Sequence, residues 1–144
     1  MKLRPAVALD APRLAQIEAA QPMNAHWGEK GLAGEIIHPF AQVWCAEENG
    51  EIVGFLALRL AAGFCEILNL AVWPQSCRRG IGFLLLSRAL AEARAKGGQM
   101  VTLEVNVHNL PAISLYQKAG LKETGRREKF YNDTDDALIM GTEL

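Results

Sequence analysis

Long apolar runs are the first thing this 144-residue sequence lacks. None approaches the roughly 18 to 20 consecutive apolar residues of a membrane span. The opening residues, Met1-Lys2-Leu3-Arg4-Pro5, carry no apolar targeting core and read as the start of a strand. No membrane partner is expected. Charge of one sign is missing as well: 15 basic residues face 16 acidic ones, for a net charge of −1. That balance speaks against nucleic acid as a partner. The three cysteines, Cys45, Cys65 and Cys77, form no CxxC pair and are odd in number, as expected of reduced thiols in a cytoplasmic protein. His26, His38 and His108 are dispersed without ligand spacing, so no metal is expected. Repeats, linkers and low-complexity tracts are absent, and one domain over residues 1–144 follows. Half the residues are hydrophobic and 22% are charged, enough to build a core.

What is present alternates in type. Residues 3–7 read as a strand, and Asp10 as the cap of a helix with Pro12 in its first turn. Residues 23–37 form a second helical region broken by Gly28 and Gly31. Three strands follow, over 42–46, 51–60 and 65–72, the first two joined at the hairpin signal Asn49-Gly50. A helix over 80–96 has a first half too apolar for a surface, and Gly97-Gly98 stops it. Residues 100–106 alternate as a strand, with Val101, Leu103 and Val105 on one face and Thr102, Glu104 and Asn106 on the other. A helix from Pro111 to Gly120 and two final strands, near 123–131 and 137–143, complete a mixed α/β order.

The densest signal is the stretch 66–86. An apolar strand ends at Pro74, a short basic loop holds Arg78 and Arg79, and Gly80-Ile81-Gly82 opens an apolar helix. Free backbone N–H groups and a helix N-terminus then meet at one point, an arrangement suited to a pyrophosphate. A Walker A loop is ruled out because no Gly-Lys-Ser/Thr is present. A dinucleotide fingerprint fails at its sixth position, which is Leu85. Alone, the loop suits a structural turn and a phosphate site equally.

Val72-x-Pro74, Arg-Arg-Gly-Ile-Gly, the apolar helix, Thr102-Leu103-Glu104-Val105 and Asn109-x-x-Ala112-x-x-Leu115-Tyr116-x-x-x-Gly120 together resemble the acetyl-CoA core of the GNAT superfamily of N-acetyltransferases. Ile17-Glu18, Trp27, Ile52-Val53-Gly54-Phe55, Glu66-Ile67-Leu68-Asn69-Leu70-Ala71-Val72 and the ending from Tyr131 resemble the RimI type, which acetylates the N-terminus of a small-subunit ribosomal protein. The resemblance implies a mostly antiparallel twisted sheet of six to seven strands with helices on both faces, opened between the fourth and fifth strands.

It also implies roles. Glu104 is the candidate general base; read by itself it is sooner a solvated glutamate on the polar face of an edge strand, but its place between two helices favours a central strand and the resemblance places it facing the thioester. Tyr116 is the candidate acid for the departing thiolate, or a packed core aromatic. Acetyl-CoA is the implied co-substrate. The backbones of Leu70, Ala71 and Val72 would pair with its pantetheine arm, and Cys77, Arg78, Arg79, Gly80, Ile81 and Gly82 would hold its pyrophosphate. Asn109 serves as a helix cap, with a hydrogen bond to the cofactor implied in addition. Tyr131 and Trp27 would line the acceptor groove, although Trp27 serves equally as a core anchor. The sequence departs from the family at Cys77, where Gln or Arg is usual, and at Leu121, Phe130 and His26. The expected partner is a protein N-terminal peptide, and the expected state a monomer or weak homodimer. The alternatives are an acetyltransferase of a small amine, such as a polyamine or antibiotic, and a non-catalytic acetyl-CoA-binding module.

Overall fold

A computed structural model describes residues 1–131 and 134–144, Tyr131 by its backbone only. Seven strands form one sheet: β1 (Lys2–Pro5), β2 (Ala41–Glu48), β3 (Glu51–Ala61), β4 (Phe64–Val72), β5 (Met100–Asn106), β6 (Lys122–Tyr131) and β7 (Asp135–Glu143). Their spatial order is β1-β2-β3-β4-β5-β7-β6. All neighbours are antiparallel except β4 and β5. The helices are α1 (Ala11–Ala19), α2 (Gly28–Ile36), α3 (Ile81–Ala95) and α4 (Leu110–Lys118). β5 is therefore central, as its place between two helices implies.

Each face of the sheet has its own core. On one, Leu85, Leu86, Ala89 and Ala93 of α3 and Tyr116 of α4 pack on Leu56, Leu58, Ile67, Val101 and Leu103. On the other, Leu14 and Ile17 of α1 and Leu32 of α2 pack on Val43, Cys45, Phe55 and Ala57. Alternation along β3 supplies both layers, so that strand is buried almost throughout. Burial raises the thiols of Cys45 and Cys65 to about 12 and about 11 respectively, which leaves both protonated and inert.

The turns follow their sequence signals. Asn49 and Gly50 both take positive φ, 53° and 78°, the pair a tight hairpin turn requires. Two sequence expectations need correction. Gly28 and Gly31 do not break the second helix: Gly28 is its first residue, and a Cβ on Gly31 would lie 2.9 Å from Cβ of Trp27. Residues 23–27, expected to be helical, form a loop instead. Asp10 occupies the N-cap position of α1 but makes no capping bond from its side chain. Its carboxylate takes Arg4 at 2.8 and 3.0 Å and the N–H of Val7 at 2.8 Å.

One irregularity shapes the functional end of the sheet. In β4, Asn69 pairs with Ala57 and Ile67 with Leu58, so Leu68 is an extra residue, a bulge. Before it, Cys65 and Ile67 face α3; after it, Leu70 and Val72 face α3, while Ala71 turns to the α1 side. β4 pairs with β5 only over Phe64–Ile67, opposite Met100–Leu103. From the bulge onward the two strands part.

Candidate active site

The parting of β4 and β5 opens a cleft of about 740 Å³. Residues 66–72 form one wall and 103–106 the other; Asn109, Ala112, Leu115 and Tyr116 of α4 close one side, and residues 21–27 the other. The antiparallel ladder with β3 fixes which backbone groups reach the gap. Trp73 N–H donates to Val53 O, so the alternating positions Leu70 and Val72 turn away from β3.

Two faces of the sheet meet in this gap. Glu104 shares a face with Thr102 and Asn106, opposite the buried Val101, Leu103 and Val105, and so points to the α1 side. Tyr116 belongs to the α3–α4 core, is buried, and lines the cleft from the other side. In a closed sheet, backbone would separate two such residues. Here both border the same space.

The loop 77–82 turns sharply into α3. Arg78 and Gly80 adopt positive φ, 65° and 79°, and Gly80 is the N-cap of α3 without any side-chain cap. The first N–H groups of a 15-residue helix are thus left to an external partner. The side chain of Ile81 is buried in the core, so only its backbone can contribute. The loop 78–81 runs between Cys77 and Gly82, which both line the cleft. Gly82 permits close helix packing, since a Cβ there would meet Leu115 Cδ2 at 3.1 Å.

The side chain of Arg79 is engaged outside the cleft, which leaves its backbone for the loop. Both its terminal nitrogens bind the carboxylate of Glu48 at 2.6 Å, and this pairing holds Glu48 below the usual carboxylate range. Its guanidinium serves the β2–β3 hairpin. Asn109 caps α4 as read, accepting from Ala112 N–H at 3.4 Å. Trp27 packs on the α1–α2 core, as a core anchor would, and also lines the cleft. The side chain of Tyr131 lies outside the described residues, while its neighbour Phe130 lines the cleft.

The structure adds residues that the sequence reading missed. Asn24 donates to the carbonyl of Leu70 at 2.7 Å and to Asn69 Oδ1 at 3.2 Å. Gln21 donates to Val72 O at 2.7 Å. Asn69 in turn donates to the buried carboxylate of Glu18 at 2.7 Å, whose other oxygen accepts from Gly28 N–H. These bonds fasten the 20–27 loop to the splayed half of β4. The one signal available was Glu18 itself, a carboxylate one residue from Ile17 on the buried side of α1.

The parted sheet, the helix opening on a glycine loop and the cleft between them make up the candidate site. Residues 11–121 match the Acetyltransferase (GNAT) family. The chain belongs to that family; it is an N-acetyltransferase, and acetyl-CoA is the donor the family uses. It is 31% identical over 117 residues to the ribosomal protein bS18-alanine N-acetyltransferase of Escherichia coli, covering 79% of this chain and 78% of that one. It is 35% identical over 117 residues to the N-alpha-acetyltransferase of Sulfurisphaera tokodaii, covering 72% and 70%. The crystal structure of the ribosomal-protein-S18-alanine N-acetyltransferase from Escherichia coli superposes with a TM-score of 0.90 at 27% identity, covering 99% of this chain and 92% of that one.

Proposed function

We propose that this protein transfers the acetyl group of acetyl-CoA to the α-amine of a protein N-terminus, with a small-subunit ribosomal protein as the first candidate acceptor. The observation that carries this reading is the gap at the bulge, where Glu104 and Tyr116 border one space from opposite faces of the sheet. The names of the relatives in Escherichia coli and Sulfurisphaera tokodaii, both acetylating α-amines, support the acceptor class.

Acetyl-CoA supplies the acetyl group as an activated thioester. The uncapped start of α3 and the backbone of 77–82 suit its pyrophosphate, Asn109 adds a polar contact, and Leu70 and Val72, whose backbone faces the gap while that of Ala71 faces β3, offer a strand edge to its amide arm. Glu104 receives the proton of the attacking amine, directly or through one water. The hydroxyl of Tyr116 protonates the departing thiolate, a modest task for a leaving group of pKa about 8.5. An α-amine of pKa about 7.7 to 8.0 is roughly a tenth neutral near pH 7, whereas a lysine of about 10.4 is neutral well below one part in a thousand. A carboxylate base is therefore adequate for N-termini and poorly matched to lysines.

The carboxylates of Glu66, Glu104 and Asp135 all line the cleft, and this favours a second reading, a small cationic amine. One experiment separates the two. Acetyl transfer to peptides differing in their first residue, to a lysine peptide and to spermidine is followed by mass spectrometry. Peptides starting with Ala or Ser should react fastest. Faster acetylation of spermidine or lysine would overturn the N-terminal assignment, and transfer to none of these would overturn the acceptor assignment altogether.

A further inference from the structure

Glu104 has a cationic companion outside the catalytic pair. Nε of Arg127 lies 2.9 Å from Glu104 Oε1, although Arg127 stands two strands away on β6. The register explains how it reaches. Glu104 pairs with Ile139, which pairs with Gly125; one step on, Asn106 pairs with Ala137, which pairs with Arg127. Partners directly opposite share a face, so Arg127 and Glu104 emerge on the same side of the sheet. The side chain must cross β7, where Ala137 stands opposite Arg127 and Ile139 opposite Glu104. Arg126, one residue earlier, turns to the opposite face and pairs with Asp136 at 3.5 Å.

The neighbouring carboxylates are otherwise engaged. Asp135 accepts from Asn106 Nδ2 at 3.0 Å and lies 3.4 Å from His108 Nε2. Asp136 takes Arg126 and the N–H of Lys129. Arg127 is fixed at a second point as well, its guanidinium 5.2 Å from the ring centroid of Phe130, which lines the cleft.

We propose that Arg127 is a positioning residue, which anchors Glu104 through Oε1 and thereby presents Oε2 to the acceptor amine. The proposal rests on the reading of Glu104 as the base. The terminal torsion of a glutamate is broad and holds no fixed orientation by itself. A cation braced on an aromatic ring and held 2.9 Å from Oε1 supplies that orientation. More than half of the Arg127 side chain is exposed, so the pair adds little to folding stability and its effect belongs in turnover.

The test is a double-mutant cycle on the full chain with the best amine of the panel. Arg127→Ala should lower kcat roughly tenfold with KM for acetyl-CoA unchanged. Arg127→Lys, which keeps the charge, should recover part of the loss. In the Glu104→Gln background Arg127→Ala should cost nothing further, because Arg127 acts through Glu104. Unchanged kcat in Arg127→Ala, or the same tenfold loss in both backgrounds, would overturn the proposal. The pairing is also read without turnover: the Nε–H resonance of Arg127 should shift in Glu104→Gln. A resonance that does not move would reject the ion pair even if no amine proved to be an acceptor, whereas a shift without any acetyl transfer would place the failure with the acceptor reading.

Discussion

Position 104 carries a carboxylate on the polar side of a strand whose other side is fully packed. Replacing it with the amide keeps shape and polarity and removes basicity. Glu104→Gln should cut turnover on the order of a hundredfold while acetyl-CoA binding persists, and part of the loss should return at high pH, where more amine is already neutral. Steady-state rates at pH 7 and 9 with calorimetric binding check both halves. Strand alternation puts Glu104 opposite the core, and the family resemblance is what singles it out there as the candidate base. Asn109 was legible too, as an Asn before a proline-initiated helix. Arg127 was not. Its role depends on which of two adjacent arginines faces Glu104, and that parity is set by the pairing of β6 with β7, which includes irregularities on both sides of Arg127. A shift of one residue exchanges Arg126 for Arg127.

Elements with strong local chemistry came through well: the Asn49-Gly50 hairpin, the apolar α3 and the proline-started α4 stand where their signals fall. The 20–27 loop did not, because its side chains bond to strand groups some 45 to 51 residues away and leave no periodic trace. The start of α3 is the element most open to direct test. Gly80 has positive φ, and a Cβ built there meets nothing within 4 Å. Aspartate tolerates this backbone region better than most residues, so Gly80→Asp should fold. It would set a carboxylate at an uncapped helix N-terminus, where it competes with an incoming pyrophosphate. Acetyl-CoA affinity measured by calorimetry should fall tenfold or more, on the order expected for losing one charged contact. Unchanged affinity in the folded variant would remove the loop from the cofactor site.

Over the whole molecule, acid should act through two carboxylates remote from the cleft. Arg59 binds Glu35 at 2.7 Å through two nitrogens, and Arg4 binds Asp10; each guanidinium holds its carboxyl below the ordinary range. Unfolded Asp and Glu titrate near 3.9 and 4.3. A depressed folded value means that the unfolded chain takes up protons first as pH falls. The stabilisation is complete above about pH 5 and is lost as pH drops through the unfolded values toward the folded ones. Glu35→Gln should lower stability at pH 7 and flatten its decline below pH 5, as read by urea unfolding between pH 3 and 7. An equally steep decline in the variant would place the acid sensitivity elsewhere.

The short parallel register between β4 and β5 has a mechanical meaning. Four residue pairs are all that stitch the strands β1–β4 to β5–β7 along the sheet. The molecule is two hydrogen-bonded plates with a seam at one end and a mouth at the other. A ligand laid along the mouth is a rivet, and its binding energy is added to whatever fluctuation would pull the plates apart. Amide exchange in 68–72 and 104–106 should therefore slow together when acetyl-CoA saturates the protein, although the two segments share no backbone pairing. Protection that rose on one plate alone would show the ligand resting on a surface, and the sheet behaving as a single stiff body that never needed a rivet.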